Sequence, residues 1–190
     1  MNTKKFRIIW LLVILLLSIL VISADWPSTS AQEESEFYNC FSVKVVGGDF
    51  IKEGGLQTIE YWFKVTNHCK WNVGYVAISN RATTRVAPLG NWEGALGDYL
   101  VKWTTDNGKP GFSSWKFMTL FNDGFNYGAS EVFPIRFTSY VNSHDFLVQA
   151  HAGASWETFI GLRADITCIT SYPCPAGWIS PTCTTCYPVD

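Results

Sequence analysis

The chain has 190 residues, room for one domain plus a leader or tail and too few for two ordinary domains. Hydrophobic residues make up 47% and aromatic residues 16%, while charged residues reach only 16% against a usual share of about 25%. With 14 basic and 16 acidic residues the net charge is −2, which excludes a disordered polyelectrolyte and a basic nucleic-acid binder, since both need far more charge.

In chain order, Lys4, Lys5 and Arg7 precede Ile8–Ile22, which is apolar apart from Ser18. A basic start, an apolar run and then small residues is the layout of a secretory signal peptide. Ala31 with Thr29 two residues before it suits the peptidase, and Ala24 is a second cleavage option. An uncleaved anchor is the rival arrangement, since Phe6–Ala24 approaches the length of a membrane-spanning helix. Either way the rest of the chain is predicted to be exported. The predicted layout is a leader or anchor over 1–31, a polar linker over 32–39, a β domain over 40–167 and a cysteine-rich tail over 168–190.

From Phe41 onward, short runs rich in β-branched and aromatic residues alternate with turn clusters. Strands are predicted near Phe41–Val46, Thr58–Asn67, Asn72–Ser79, Tyr99–Thr105, Trp115–Phe121, Val132–Tyr140, Phe146–Ala152 and Phe159–Thr167. In the second, Ile59, Tyr61, Phe63 and Val65 point one way and Glu60, Trp62, Lys64 and Thr66 the other, as a half-buried strand requires. GGDFIKEGG, NHCK, DNGKPG, NDGFNYG and NSHD read as turns. Pro134 predicts an edge strand or a bulge, because proline cannot donate to the ladder. The long gap Asn80–Asp98 reads as a crossover between sheets or a functional loop. About eight strands and no sustained helical periodicity point to an all-β antiparallel sandwich of immunoglobulin-like or jelly-roll type, with a closed barrel second.

Cys40, Cys69, Cys168, Cys174, Cys183 and Cys186 form an even set in a chain predicted to be exported, so disulfides are the default. Their connectivity is not readable from spacing. Cys40 with Cys69, and two bridges inside the tail, is the simplest arrangement. In a reducing compartment the four tail cysteines would instead suggest zinc.

The run Lys64–Asn67, the segment GFSSWKF, Gly128–Ser130 and His151–Gly153 resemble exported bacterial β-sandwich domains of uncharacterised role, often followed by a surface sorting signal. That resemblance implies an exported sandwich and no activity. The segment from Cys174 to Cys183, CPAGWISPTC, is similar to the end of an EGF-like repeat and implies a small disulfide loop with Gly177 at a turn. No C-x-C precedes it, a departure from the repeat.

Chemistry-bearing patterns are sparse. His68, His144 and His151 accompany no G-x-S-x-G nucleophile turn, and no catalytic residue is assigned. Paired carboxylates for glycoside hydrolysis must converge across a cleft, and the sequence cannot bring Glu93, Asp98 and Glu157 together. No HExxH motif or EF-hand loop occurs. Asp106–Gly108 and Asn122–Asn126 carry oxygen ligands suited to calcium but also fit hairpin turns. No metal or other cofactor is assigned.

The distinctive feature is the aromatic content, with 9 Trp, 8 Tyr and 13 Phe. Trp71, Trp92 and Trp156 fall in or near predicted loops, where binding residues concentrate. Each has polar neighbours: Lys70 and Asn72, Asn91 and Glu93, Ser155 and Glu157. Flat rings with adjacent hydrogen-bonding groups suit an extracellular glycan or surface polymer. The expected function is a secreted or cell-surface, non-catalytic binding or structural module. The alternatives are a small secreted hydrolase acting on a polysaccharide and a membrane-tethered surface protein. Nucleic acid is not an expected partner, and a membrane is one only if the N-terminal segment is retained.

Overall fold

The computed structural model describes residues 40–189 apart from 54, 81–90, 106–110, 121–123 and 139–140. The predicted leader and linker lie outside the described residues. Asn39–Asp190 forms one compact unit.

Its strands are β1 (Phe41–Glu53), β2 (Leu56–Asn67), β3 (Val73–Asn80), β4 (Asn91–Glu93), β5 (Asp98–Thr104), β6 (Ser114–Thr119), β7 (Ser130–Phe137), β8 (Ser143–Ala152) and β9 (Ser155–Asp165). Helix α1 (Ile166–Ser171) and the short strands β10 (Trp178–Ile179) and β11 (Tyr187–Pro188) follow. The fold is therefore all-β and antiparallel with a disulfide-rich tail. It has eleven strands among the described residues rather than about eight. The additions are β4, inside the long gap before Asp98, and the tail hairpin. The strand expected over Phe159–Thr167 starts earlier, at Ser155, and stops at Asp165. There the Asp165 carboxylate accepts from the backbone N–H of Thr167 at 2.9 Å and caps α1.

Strands β1-β2-β7 form one sheet and β4-β5-β6-β3-β8-β9 another. Strand β7 is an edge strand, so Pro134 leaves no gap in a central ladder. Strands β3 and β4 share a sheet with β6 and β5 between them, so the long gap is not a crossover between sheets.

The alternation in β2 holds: Ile59, Tyr61, Phe63 and Val65 are buried, while Trp62 is exposed. These side chains meet the inner face of the larger sheet in one core. Phe63 lies 4.8 Å from Phe146 and Phe117 lies 5.2 Å from Phe133, both edge to face. This packing is compatible with a sandwich.

Strand β1 runs on through Gly47 and Gly48, which the sequence suggested were a turn. A bulge between Val45 and Gly47 sets the register. Gly47 then lies under the Trp62 ring, and Gly48 admits Ile166 of α1. Glycine here marks close approach rather than chain reversal.

Disulfides join Cys40 to Cys69, Cys168 to Cys183 and Cys174 to Cys186. The first ties the start of β1 to the segment after β2. The other two close the tail around β10 and β11. Three bridges suggest folding in an oxidising environment. Among the described residues no helix is long and apolar enough to cross a membrane.

Candidate functional site

Register across the six-stranded sheet decides which side chains share its outer face. One row reads Asn91, Leu100, Met118, Tyr75, His151 and Trp156 from edge to edge. The next row, on the same face, reads Lys102, Lys116, Ala77, Gln149 and Thr158. The face belongs to the sequence-predicted Trp156 but is built mainly from residues that the sequence did not single out.

At its centre the Tyr75 ring is held from both sides. The His151 imidazole stacks on it at 4.7 Å between centroids and 5° between planes. The Lys116 ammonium lies 3.9 Å from its centroid, a cation–π contact. The Tyr75 hydroxyl donates to Gln149 Oε1 at 2.8 Å, and Gln149 Nε2 donates to Thr158 Oγ1 at 2.8 Å. These contacts preorganise the face across four strands. Burial raises the Tyr75 phenol above its ordinary pKa and lowers the Lys116 ammonium below its own.

The five predicted binding residues do not form one cluster. Trp71 is 53% exposed and lies across Gly153, in the turn between β8 and β9. Gly153 has φ 59°, and any side chain there would run into the indole. Trp156, three residues on, is 45% exposed, so both rings adjoin the same turn. The Lys70 ammonium sits 5.0 Å from the Trp71 ring.

Trp92 stands apart. It faces the core, 5.2 Å from Tyr99, 5.6 Å from Phe117 and 5.4 Å from Phe133. It also lies on the opposite edge strand from Trp156, five strand spacings or about 24 Å away. Its placement on an edge hairpin looked loop-like in sequence, but its register with Tyr99 turns it inward. Asn91 and Glu93 flank it and are exposed. Glu93 lines a cavity of about 370 Å³ with Leu96, Asp98 and Leu120. Asn72, beside Trp71, lines another of about 290 Å³ with Leu96, Phe125 and Asn126.

Glu157, one of the three carboxylates considered for glycoside hydrolysis, is engaged in the fold, and so is Glu131, which the sequence did not single out. Glu157 accepts from the backbone N–H groups of Cys40 and of Phe41, the latter at 3.1 Å, tying β9 to the start of β1. Glu131 is 3% exposed and accepts from Leu96 N at 2.7 Å and Ala95 N at 3.2 Å, holding the turn between β4 and β5.

The histidines are dispersed. His68 Nε2 lies 3.2 Å from the Ser42 hydroxyl at an exposed site. His144, expected in a turn, is in β8 and is buried, with Nδ1 3.2 Å from the Tyr61 hydroxyl. His151 belongs to the outer-face stack. Among the described residues no group of three or more His, Cys, Asp or Glu could hold a metal. Asp106–Gly108 and Asn122–Asp123 of the calcium candidates lie outside the described residues, and Phe125 of the second candidate is part of the core.

Comparison of the chain with protein-family models, with curated proteins and with solved structures finds no match.

Proposed function

We propose that this protein is a secreted or cell-surface, non-catalytic binding module, an immunoglobulin-like or jelly-roll type sandwich that holds a glycan or surface polymer. The observation that carries this reading is the exposure of Trp71 and Trp156 at one turn, beside the ordered His151–Tyr75 stack. Exposed rings held beside a rigid sheet present flat apolar surface without a large entropy cost, and the exposed Thr158 stands on the same outer face. The two disulfides in the tail and the one at the start of β1 suit an exported setting.

The test is retention of the oxidised protein on insoluble polysaccharides, comparing Trp71→Ala and Trp156→Ala with the unaltered chain. Loss of retention with an unchanged thermal midpoint supports the reading. Retention that survives both substitutions, or no retention on any polysaccharide, overturns it. Trp92→Ala serves as the contrast: it should lower the midpoint, because that ring packs on the core.

A further inference from the structure

Lys102 and Lys116 face each other directly across β5 and β6. Like charges in opposed positions destabilise a sheet, and an acid close by would normally offset them. None does so here. Lys102 makes no ion pair or hydrogen bond among the described residues, and the Lys116 ammonium lies over the Tyr75 ring. On the same outer face the acids Glu93 and Asp98 stand opposed at the β4–β5 corner. Asp145 stands opposite Arg163 at the far end of β8 and β9, four residues along β8 from the Gln149 that shares the Lys116 row. Glu157 points to the inner face and is bound by β1. The chain as a whole carries −2, so this local positive charge is not a by-product of a basic protein.

Aromatic surface adjoins the lysines on the same sheet. His151 and Trp156 are directly opposed, and Tyr75 links them to Lys116. From Lys116 on β6 to Trp156 on β9 is three strand spacings, about 14 Å. A single sugar cannot bridge that span, but a chain of several can. Rings select a ligand with flat faces, and ammonium groups select one with negative charge.

We infer that the outer face of the six-stranded sheet, from Lys102 and Lys116 to His151 and Trp156, binds an acidic polysaccharide of hexuronate units. The sugar faces lie on Trp156 and His151, and carboxylates lie against the two lysines. This rests on the glycan-binding reading above and narrows it to one charge class.

The test uses the full chain with its disulfides formed, and affinity electrophoresis in gels containing polygalacturonate or its methyl ester, the same backbone without charge. Polygalacturonate should retard the protein more strongly, and added salt should reduce the difference. Lys102→Gln with Lys116→Gln should weaken polygalacturonate binding by about fivefold to tenfold, the scale of two exposed charge contacts. Lys102→Gln alone, which leaves the Lys116–Tyr75 contact intact, should leave methyl-ester binding unchanged. The internal control is Lys44→Gln with Lys64→Gln, an opposed lysine pair on the other sheet, which removes equal charge and should have no effect.

Equal binding of the two polymers, or equal loss from both lysine pairs, overturns the inference. So does equal retardation by a poly(glycerol phosphate) without sugar rings, or capture by anionic vesicles in place of polygalacturonate. Binding of neutral polysaccharides alone overturns the charge assignment but leaves the glycan-binding reading standing. Binding to none overturns both.

Discussion

The indole of Trp62 lies directly over Gly47 in the neighbouring strand, so close that a methyl group at Gly47 would occupy the ring's own volume. On the other neighbouring strand, β7, Trp62 is paired in register with Pro134. The indole N–H donates to Glu60 Oε1 at 2.6 Å, and Glu60 also pairs with Arg136 at 3.0 Å. An aromatic side chain on the outer face of the smaller sheet is thus held by a glycine on one strand and a carboxylate on its own. Gly47→Ala should force the ring to swing away and should destabilise by about 1–3 kcal/mol, as overpacking does. Urea denaturation checks this. In a Trp62→Ala background the same glycine change should cost much less, because the obstacle is gone.

His144 makes stability depend on pH. Burial holds its imidazole below the ordinary value of 6.5, opposed in part by the carboxylates of Asp165 and Asp145. The folded state therefore resists a proton that the unfolded state accepts. Above 6.5 neither form binds it and His144 adds no pH dependence. As pH falls below 6.5 the unfolded chain gains protons first, and stability drops until the depressed folded value is passed. The thermal midpoint should fall between neutral and mildly acidic pH, and His144→Gln should flatten that slope. The site matters because the Tyr61 hydroxyl, 3.2 Å from His144 Nδ1, also donates to Asn142 O at 2.5 Å and accepts from Ile166 N at 3.1 Å. Acid should therefore loosen the junction between β9 and α1 first, which hydrogen exchange at Ile166 would show.

The tail depends on its bridges. Beyond α1 its regular pairing is the two-residue ladder of Trp178–Ile179 with Tyr187–Pro188, too short to stand alone in water. Replacing Cys174 and Cys186 together by serine should cost about 2–3 kcal/mol, the scale of closing a loop of this length. Amide exchange should rise across residues 175–189 while Phe63 and Phe146 keep their protection. Alkylation of the unreduced protein should label no cysteine.

Periodicity and chemistry legible in the sequence settled much of this protein. The alternation in TIEYWFKVTN identified the buried face of β2, because side chains two apart must share a side. Pro134 signalled an edge strand or a bulge, because it lacks a donor, and β7 lies at a sheet edge. An even cysteine set, with two members in the body and four in the tail, matched the observed pairing. The helix at Ile166 was not legible: ITCITS is rich in β-branched residues. Its helical form depends on the Asp165 cap, the Cys168–Cys183 bridge and the room that Gly48 leaves for Ile166.

Register between strands distant in sequence belongs to the tertiary structure alone. Trp92 and Trp156 looked alike as loop-adjacent tryptophans, yet pairing with Tyr99 turns one into the core and pairing with His151 turns the other to solvent. Tyr75, His151 and Lys116 come from three separate segments, and no local pattern records that they stack. Alternation reports which neighbours along one strand share a face. Which faces meet, and which charges and rings become neighbours, is decided when the sheets pair and pack.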